Sequence, residues 1–93
     1  MGLTVLDAGA VIGVLDADDA YHHAARDAVR RAIDRNDALA LPASAYAECM
    51  VGPARRGRSA MRAVDAFLAD LAADVEPITL QVASRAAQLR AQH

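Results

Sequence analysis

At 93 residues the chain is one domain at most, and a domain this small buries only a modest core. Its residues are 55% hydrophobic but only 3% aromatic. Much of that apolar content is Ala, which packs closely and buries little area, so the core should be thin and should lean on a partner subunit or further sequence. The net charge of −2 excludes a generally basic nucleic-acid coat. Cys49, the single cysteine, excludes an internal disulfide and suits a reducing compartment.

Leu3 to Leu6 is a short apolar run with β-branched Thr4 and Val5, the pattern of a buried strand. Asp7 follows it, Ala8-Gly9 makes a tight exit, and Ala10 to Leu15 can start a helix. The run from Ala8 to Leu15 is the longest apolar stretch, far short of the roughly 20 residues a membrane span needs. No positive charge precedes it, so it is no secretory leader either, and the chain is expected in the cytoplasm, away from membranes. Asp16 to Asp19 form a turn, in which Asp18 or Asp19 can cap the next helix. That helix is the clearest pattern in the chain. Tyr21, Ala24, Ala25, Ala28, Val29, Ala32 and Ile33 share one face, and Arg26, Asp27, Arg30, Arg31 and Asp34 the other, with Asn36-Asp37 as its stop.

Ala38 to Leu41 is a second short strand, ended by Pro42. Ser44 is then placed to cap a helix through Tyr46, Glu48 and Met50 that stops near Gly52-Pro53. Arg55 to Arg58 make a basic loop around Gly57. Ser59 can cap a further helix whose apolar face is Ala60, Val64, Phe67, Leu68 and Leu71. Val75 to Ile78 is a third strand, which Pro77 directs to a sheet edge. Thr79 caps a last helix from Leu80 to about Gln92. The order β-α-α-β-α-α-β-α implies an α/β fold with a parallel sheet flanked by helices. Three short strands leave an apolar edge unpaired, so the pattern asks for a fourth strand after His93.

Ligand sites of open parallel sheets gather at the carboxyl ends of the strands. Asp7 stands at that end of the first strand, and Glu48 lies early in the helix after the second. Neighbouring strands would bring both carboxylates to one cleft. Paired carboxylates of this kind suit Mg²⁺, a hard ion that takes a few carboxylate oxygens and keeps several waters. The same two residues suit a strand end and a solvated helix face equally well on spacing alone. Arg55, Arg56 and Arg58 could bind RNA phosphates, since bidentate Arg contacts fit that task, or could be a solvated loop. His22 and His23 are adjacent, so on a helix they point apart and make no ligand pair. Asp16, Asp18 and Asp19 lack the Gly and closing acid of a calcium loop.

The stretch Thr4-Val5-Leu6-Asp7-Ala8-Gly9-Ala10-Val11-Ile12, with the Asp-rich turn and His22-His23 after it, resembles the start of a PIN-domain ribonuclease. Leu41-Pro42-Ala43-Ser44-Ala45-Tyr46-Ala47-Glu48 resembles the second motif of that family. The likeness covers essentially the whole chain and is greatest to the VapC-type toxins of bacterial toxin–antitoxin pairs. It implies a PIN-like, Rossmann-like sheet and a Mg²⁺- or Mn²⁺-dependent endoribonuclease that cuts structured RNA such as tRNA or ribosomal RNA by metal-activated water. It further implies a homodimer held inactive by a cognate antitoxin. Asp7 matches the first metal-ligating acid and Glu48 the second.

Two departures qualify the match. Ala8 and Gly9 stand where many relatives carry a Ser or Thr. The family's third acid, and often a fourth, lie further on, whereas no acid follows Glu76. Residues 1–93 are therefore expected to be a single PIN-like domain truncated before its last acidic motifs. The alternative is an inactive truncated form that serves only as a protein-interaction module.

Overall fold

A computed structural model describes residues 2–77 together with Ser84. Its elements run β1 (Leu3–Val5), α1 (Ala8–Leu15), α2 (His22–Asp34), β2 (Ala38–Pro42), α3 (Ala43–Arg56), α4 (Arg58–Asp70) and β3 (Asp74–Glu76). The strands form one parallel sheet in the order β1-β2-β3. Thr4 pairs with Leu39 and Leu41 with Val75, and the amide of Leu6 extends the first ladder by donating to the carbonyl of Ala40 at 2.8 Å. This is the expected α/β architecture in the expected order. The last expected helix lies outside the described residues.

Each connection between parallel strands carries two helices, as a crossover requires. The central strand β2 is buried at Leu39, Ala40 and Leu41, and Leu41 is fully enclosed. The core joins it to Leu6 of β1's end, Val11 of α1, Val29 of α2, Cys49 and Met50 of α3, and Val64 and Leu68 of α4. Among the described residues no aromatic side chain is buried, and five of the fifteen buried hydrophobics are Ala. Close backbone approach replaces bulk. A Cβ built on Gly13 would stand 2.9 Å from the Cβ of Ala25, so only glycine lets α1 settle onto α2. His22 reinforces this contact, its Nδ1 lying 2.7 Å from the carbonyl oxygen of Gly13.

Several helix boundaries differ from those the sequence suggests. α1 starts at Ala8, not Ala10, because Asp7 itself is the N-cap. Asp19 bonds the amide of Tyr21 at 2.9 Å, but the N-cap position of α2 is Tyr21, without a side-chain bond. α3 begins at Ala43 directly after Pro42, so Ser44 lies inside the first turn and caps nothing. The same helix passes Gly52 and Pro53 and ends at Arg56. Proline deletes one ladder bond near a helix end, and the burial of the Pro53 ring offsets that loss. Gly57, at φ 116°, makes the break instead and also stands as N-cap of α4, which leaves Ser59 within the first turn. Left-handed backbone favours glycine, and Gly57 supplies it here. β3 begins one residue early and ends at Glu76, so Pro77, expected within the strand, stands just past it; β3 is at an edge of the described sheet, and Ile78 lies outside the described residues.

At the opposite end of the sheet from Asp7, Asp37 fastens the start of β1. Its carboxylate accepts from the Gly2 amide at 3.0 Å and the Thr4 hydroxyl at 2.8 Å, and it pairs with Arg35 at 3.1 Å. The Thr4 hydrogen bond, with Arg35 and the Gly2 amide behind it, holds this carboxyl below its ordinary pKa against the opposing effect of burial. A depressed folded-state pKa gives stability that is complete above the unfolded value of about 3.9 and lost as pH falls through the folded value. Asp37→Asn should therefore be less stable than the parent at pH 7 in urea melts, and the gap should close as the pH is lowered below 4. Leu41→Ala, which hollows the centre of the core, should cost about 2–5 kcal/mol, and Gly13→Ala about 1–3 kcal/mol.

Candidate metal centre

Asp7 and Glu48 reach the carboxyl edge of the sheet by different local routes. Only Leu6 and Asp7 separate the end of β1 from α1. Asp7 has extended backbone (φ −100°, ψ 172°), and its Oδ1 accepts the amide hydrogen of Ala10 at 2.7 Å. This is a side-chain N-cap of the usual kind. The bond fixes the carboxylate's orientation and occupies one oxygen. Oδ2 accepts no hydrogen bond among the described residues. Glu48 is the sixth residue of α3, which follows β2 without a linking residue. Its side chain is exposed and makes no hydrogen bond or ion pair among the described residues.

The segments that carry them meet through the residues beside them. Cys49 is 4% exposed, and its Sγ lies 3.9 Å from the carbonyl oxygen of Ala8, donating weakly to it. Ala8 adjoins Asp7 and Cys49 adjoins Glu48, so one buried contact ties both acid-bearing segments. The thiol registers both charges. Burial first, then Glu48 and Asp7, push its pKa above the ordinary value. The expectation that Cys49 is a small buried apolar residue agrees with this environment.

A groove of about 590 Å³ opens beside this contact. α3 packs against both α1 and α4, and the groove is lined by Ile12 and Leu15 of α1, Ala60 and Val64 of α4, and Glu48, Gly52 and Arg56 of α3. Glu48 borders it, whereas Asp7 does not. Of the basic cluster, Arg56 reaches the groove, and Arg55 and Arg58 are exposed away from its lining. Tyr46 holds α4 to α3 by donating to Asp65 at 2.7 Å, a bond that raises the tyrosine pKa. That tie has no evident signal in the sequence beyond helical spacing.

The other polar clusters have structural duties. Asp16 accepts from the amide of Asp18, and Asp19 from that of Tyr21. The His22 and His23 rings meet edge to face at 5.5 Å. No group of three or more His, Cys, Asp or Glu side chains among the described residues could hold a metal ion. No described helix is long and apolar enough to cross a membrane.

The fold and this edge define a parallel α/β domain with one carboxylate just past the end of β1 and another in the helix that follows β2. The PIN domain family profile matches residues 4–93, and the chain belongs to that family. No curated protein and no solved structure matches it. PIN domains are generally nucleases, typically use divalent metal ions and generally bind RNA.

The dual position of Asp7 can be separated by substitution. Asp7→Asn keeps a capping oxygen and should leave stability nearly unchanged, while Asp7→Ala should cost about 1 kcal/mol in urea denaturation. A second measurement concerns Cys49. Buried and flanked by two negative charges, it should react with a thiol reagent much more slowly in the folded chain than in urea.

Proposed function

We propose that this is a metal-dependent endoribonuclease of the toxin kind, restrained by a cognate antitoxin protein and cutting structured RNA such as tRNA or ribosomal RNA. Asp7 and Glu48 are its metal-holding carboxylates. The observation that carries the reading is the contact between Cys49 and Ala8, which couples the two acid-bearing segments at the carboxyl ends of paired strands. The donor set fits a hard divalent ion. Asp7 offers an oriented carboxylate with one oxygen uncommitted among the described residues, and Glu48 offers an exposed one. Mg²⁺ is commonly held by one or two protein carboxylates, with waters and substrate phosphates completing its shell.

When bound, Mg²⁺ or Mn²⁺ supplies activation of water and neutralisation of charge on the phosphodiester. The chain's own contribution is positional. Capping locks the Asp7 carboxylate, so little conformational freedom remains to be lost on engaging the ion. Glu48 projects from a long helix whose buried side packs against both α1 and α4. A homodimer suits the thin, Ala-rich core, and Arg55, Arg56 and Arg58 add positive charge at the α3–α4 corner for RNA.

The test is cleavage of tRNA and ribosomal RNA by the protein expressed from its complete reading frame. Cleavage is expected with Mg²⁺ or Mn²⁺ and none with a chelator. Asp7→Asn and Glu48→Gln should each slow it by about two orders of magnitude or more. Undiminished activity in Asp7→Asn would remove that residue from the site.

A further inference from the structure

Arg56 differs from its basic neighbours in what lies beneath it. A Cβ built on Gly52 would stand 3.5 Å from Arg56 Nη1, so the guanidinium folds back over the preceding turn of α3 and lies on the bare glycine. Helical side chains lean toward the N-terminus, and residues four apart share a face. Glu48, Gly52 and Arg56 therefore form one line, and all three border the groove. Arg56 is the only basic residue in that lining, and among the described residues it joins no ion pair. The charged groups it shares the lining with are Glu48 and Asp16, while Gly52, Pro53 and Ala60 carry no charge.

We infer that Arg56, laid across Gly52, is a positioning residue that grips an RNA phosphate flanking the one cleaved at the Asp7–Glu48 edge. The inference rests on the nuclease reading above and specifies the path of the strand: along α3, from Glu48 toward the α3–α4 corner. Arg56 stands eight positions after Glu48, about 12 Å of helix rise, and its guanidinium folds back to Gly52, about 6 Å of rise from Glu48. That separation makes the Arg56 phosphate a neighbour of the reacting one. A guanidinium presents a planar fork of N–H groups that donates to two phosphate oxygens at once, which Lys cannot do. Gly52 is part of the device, because a larger side chain there would occupy the surface on which the guanidinium rests.

The experiment measures binding of a fluorophore-labelled single-stranded oligoribonucleotide by anisotropy, in EDTA, over a range of salt concentrations. Arg56→Ala should weaken binding about 5-fold and reduce the salt slope by about 0.7. Gly52→Leu should weaken binding to a similar degree without changing the charge, and Leu is a better helix former than Gly, so the fold is retained. The double variant should be no weaker than Arg56→Ala. Arg56→Lys should restore most of the slope but not all of the affinity. In cleavage assays Arg56→Ala should raise KM and leave kcat nearly unchanged. Unchanged affinity and slope in Arg56→Ala overturn the inference even if the protein cleaves RNA. Arg56-dependent RNA binding by a protein that cleaves nothing supports it and defeats the nuclease reading instead. No RNA binding by the parent chain, or an Arg56→Ala variant altered only in its self-association on sedimentation, also overturns it and makes the groove a protein interface.

Discussion

The bond from the Ala10 amide to Asp7 decides how this fold turns from strand to helix. A helix N-terminus leaves amide groups without intrahelical partners, and a carboxylate just outside the first turn satisfies one of them and suits the positive end of the helix dipole. Because the cap follows Leu6 directly, no loop intervenes, and α1 leaves the sheet with its first turn against α3. The contact of Ala8 with Cys49, the burial of Val11 and the approach of Gly13 to Ala25 all depend on that exit. The residue best placed to carry chemistry is thus also one that shapes the domain.

On the proposed reading, this double duty accounts for the economy of the site. A carboxylate held by a backbone amide loses freedom of rotation and, among the described residues, leaves one oxygen uncommitted. Glu48 obtains rigidity from its helix, which begins at the very end of β2, rather than from a bond of its own. Between them the buried thiol of Cys49 fills space that a larger polar side chain could not occupy without demanding a partner. Arg56 adds the opposite sign further along the same helix, so α3 presents an anionic and a cationic station on one face, separated by a glycine.

The order of elements was legible in the sequence because apolar periodicity switches plainly between short runs and helical spacing. Distance from the strand ends fixes which edge of a parallel sheet Asp7 and Glu48 reach, but spacing alone suited structural roles equally well, and it was the resemblance to two PIN motifs that singled them out. Cap positions were less legible. Ser44 and Ser59 have the right chemistry, but the chain turns helical before it reaches them, at Ala43 and Arg58. Local preference names suitable caps without saying where tertiary contacts start the turn. Pro53 misled for a related reason: its missing amide is a local cost, while its burial against the core depends on residues far away in sequence. The distinction among Arg55, Arg56 and Arg58 was invisible for lack of the helical register around Gly57, which the structure supplies.

The scarcity of large side chains inside the molecule bears on its thermodynamics. Ala loses no rotamer freedom on burial and exposes little apolar surface when the chain unfolds. The heat capacity of unfolding grows with that exposed apolar surface. A core with no buried aromatic side chain, in which Ala25, Ala32, Ala40 and Ala45 are among the buried residues described, therefore gives a shallow stability curve, with modest curvature from cold to warm.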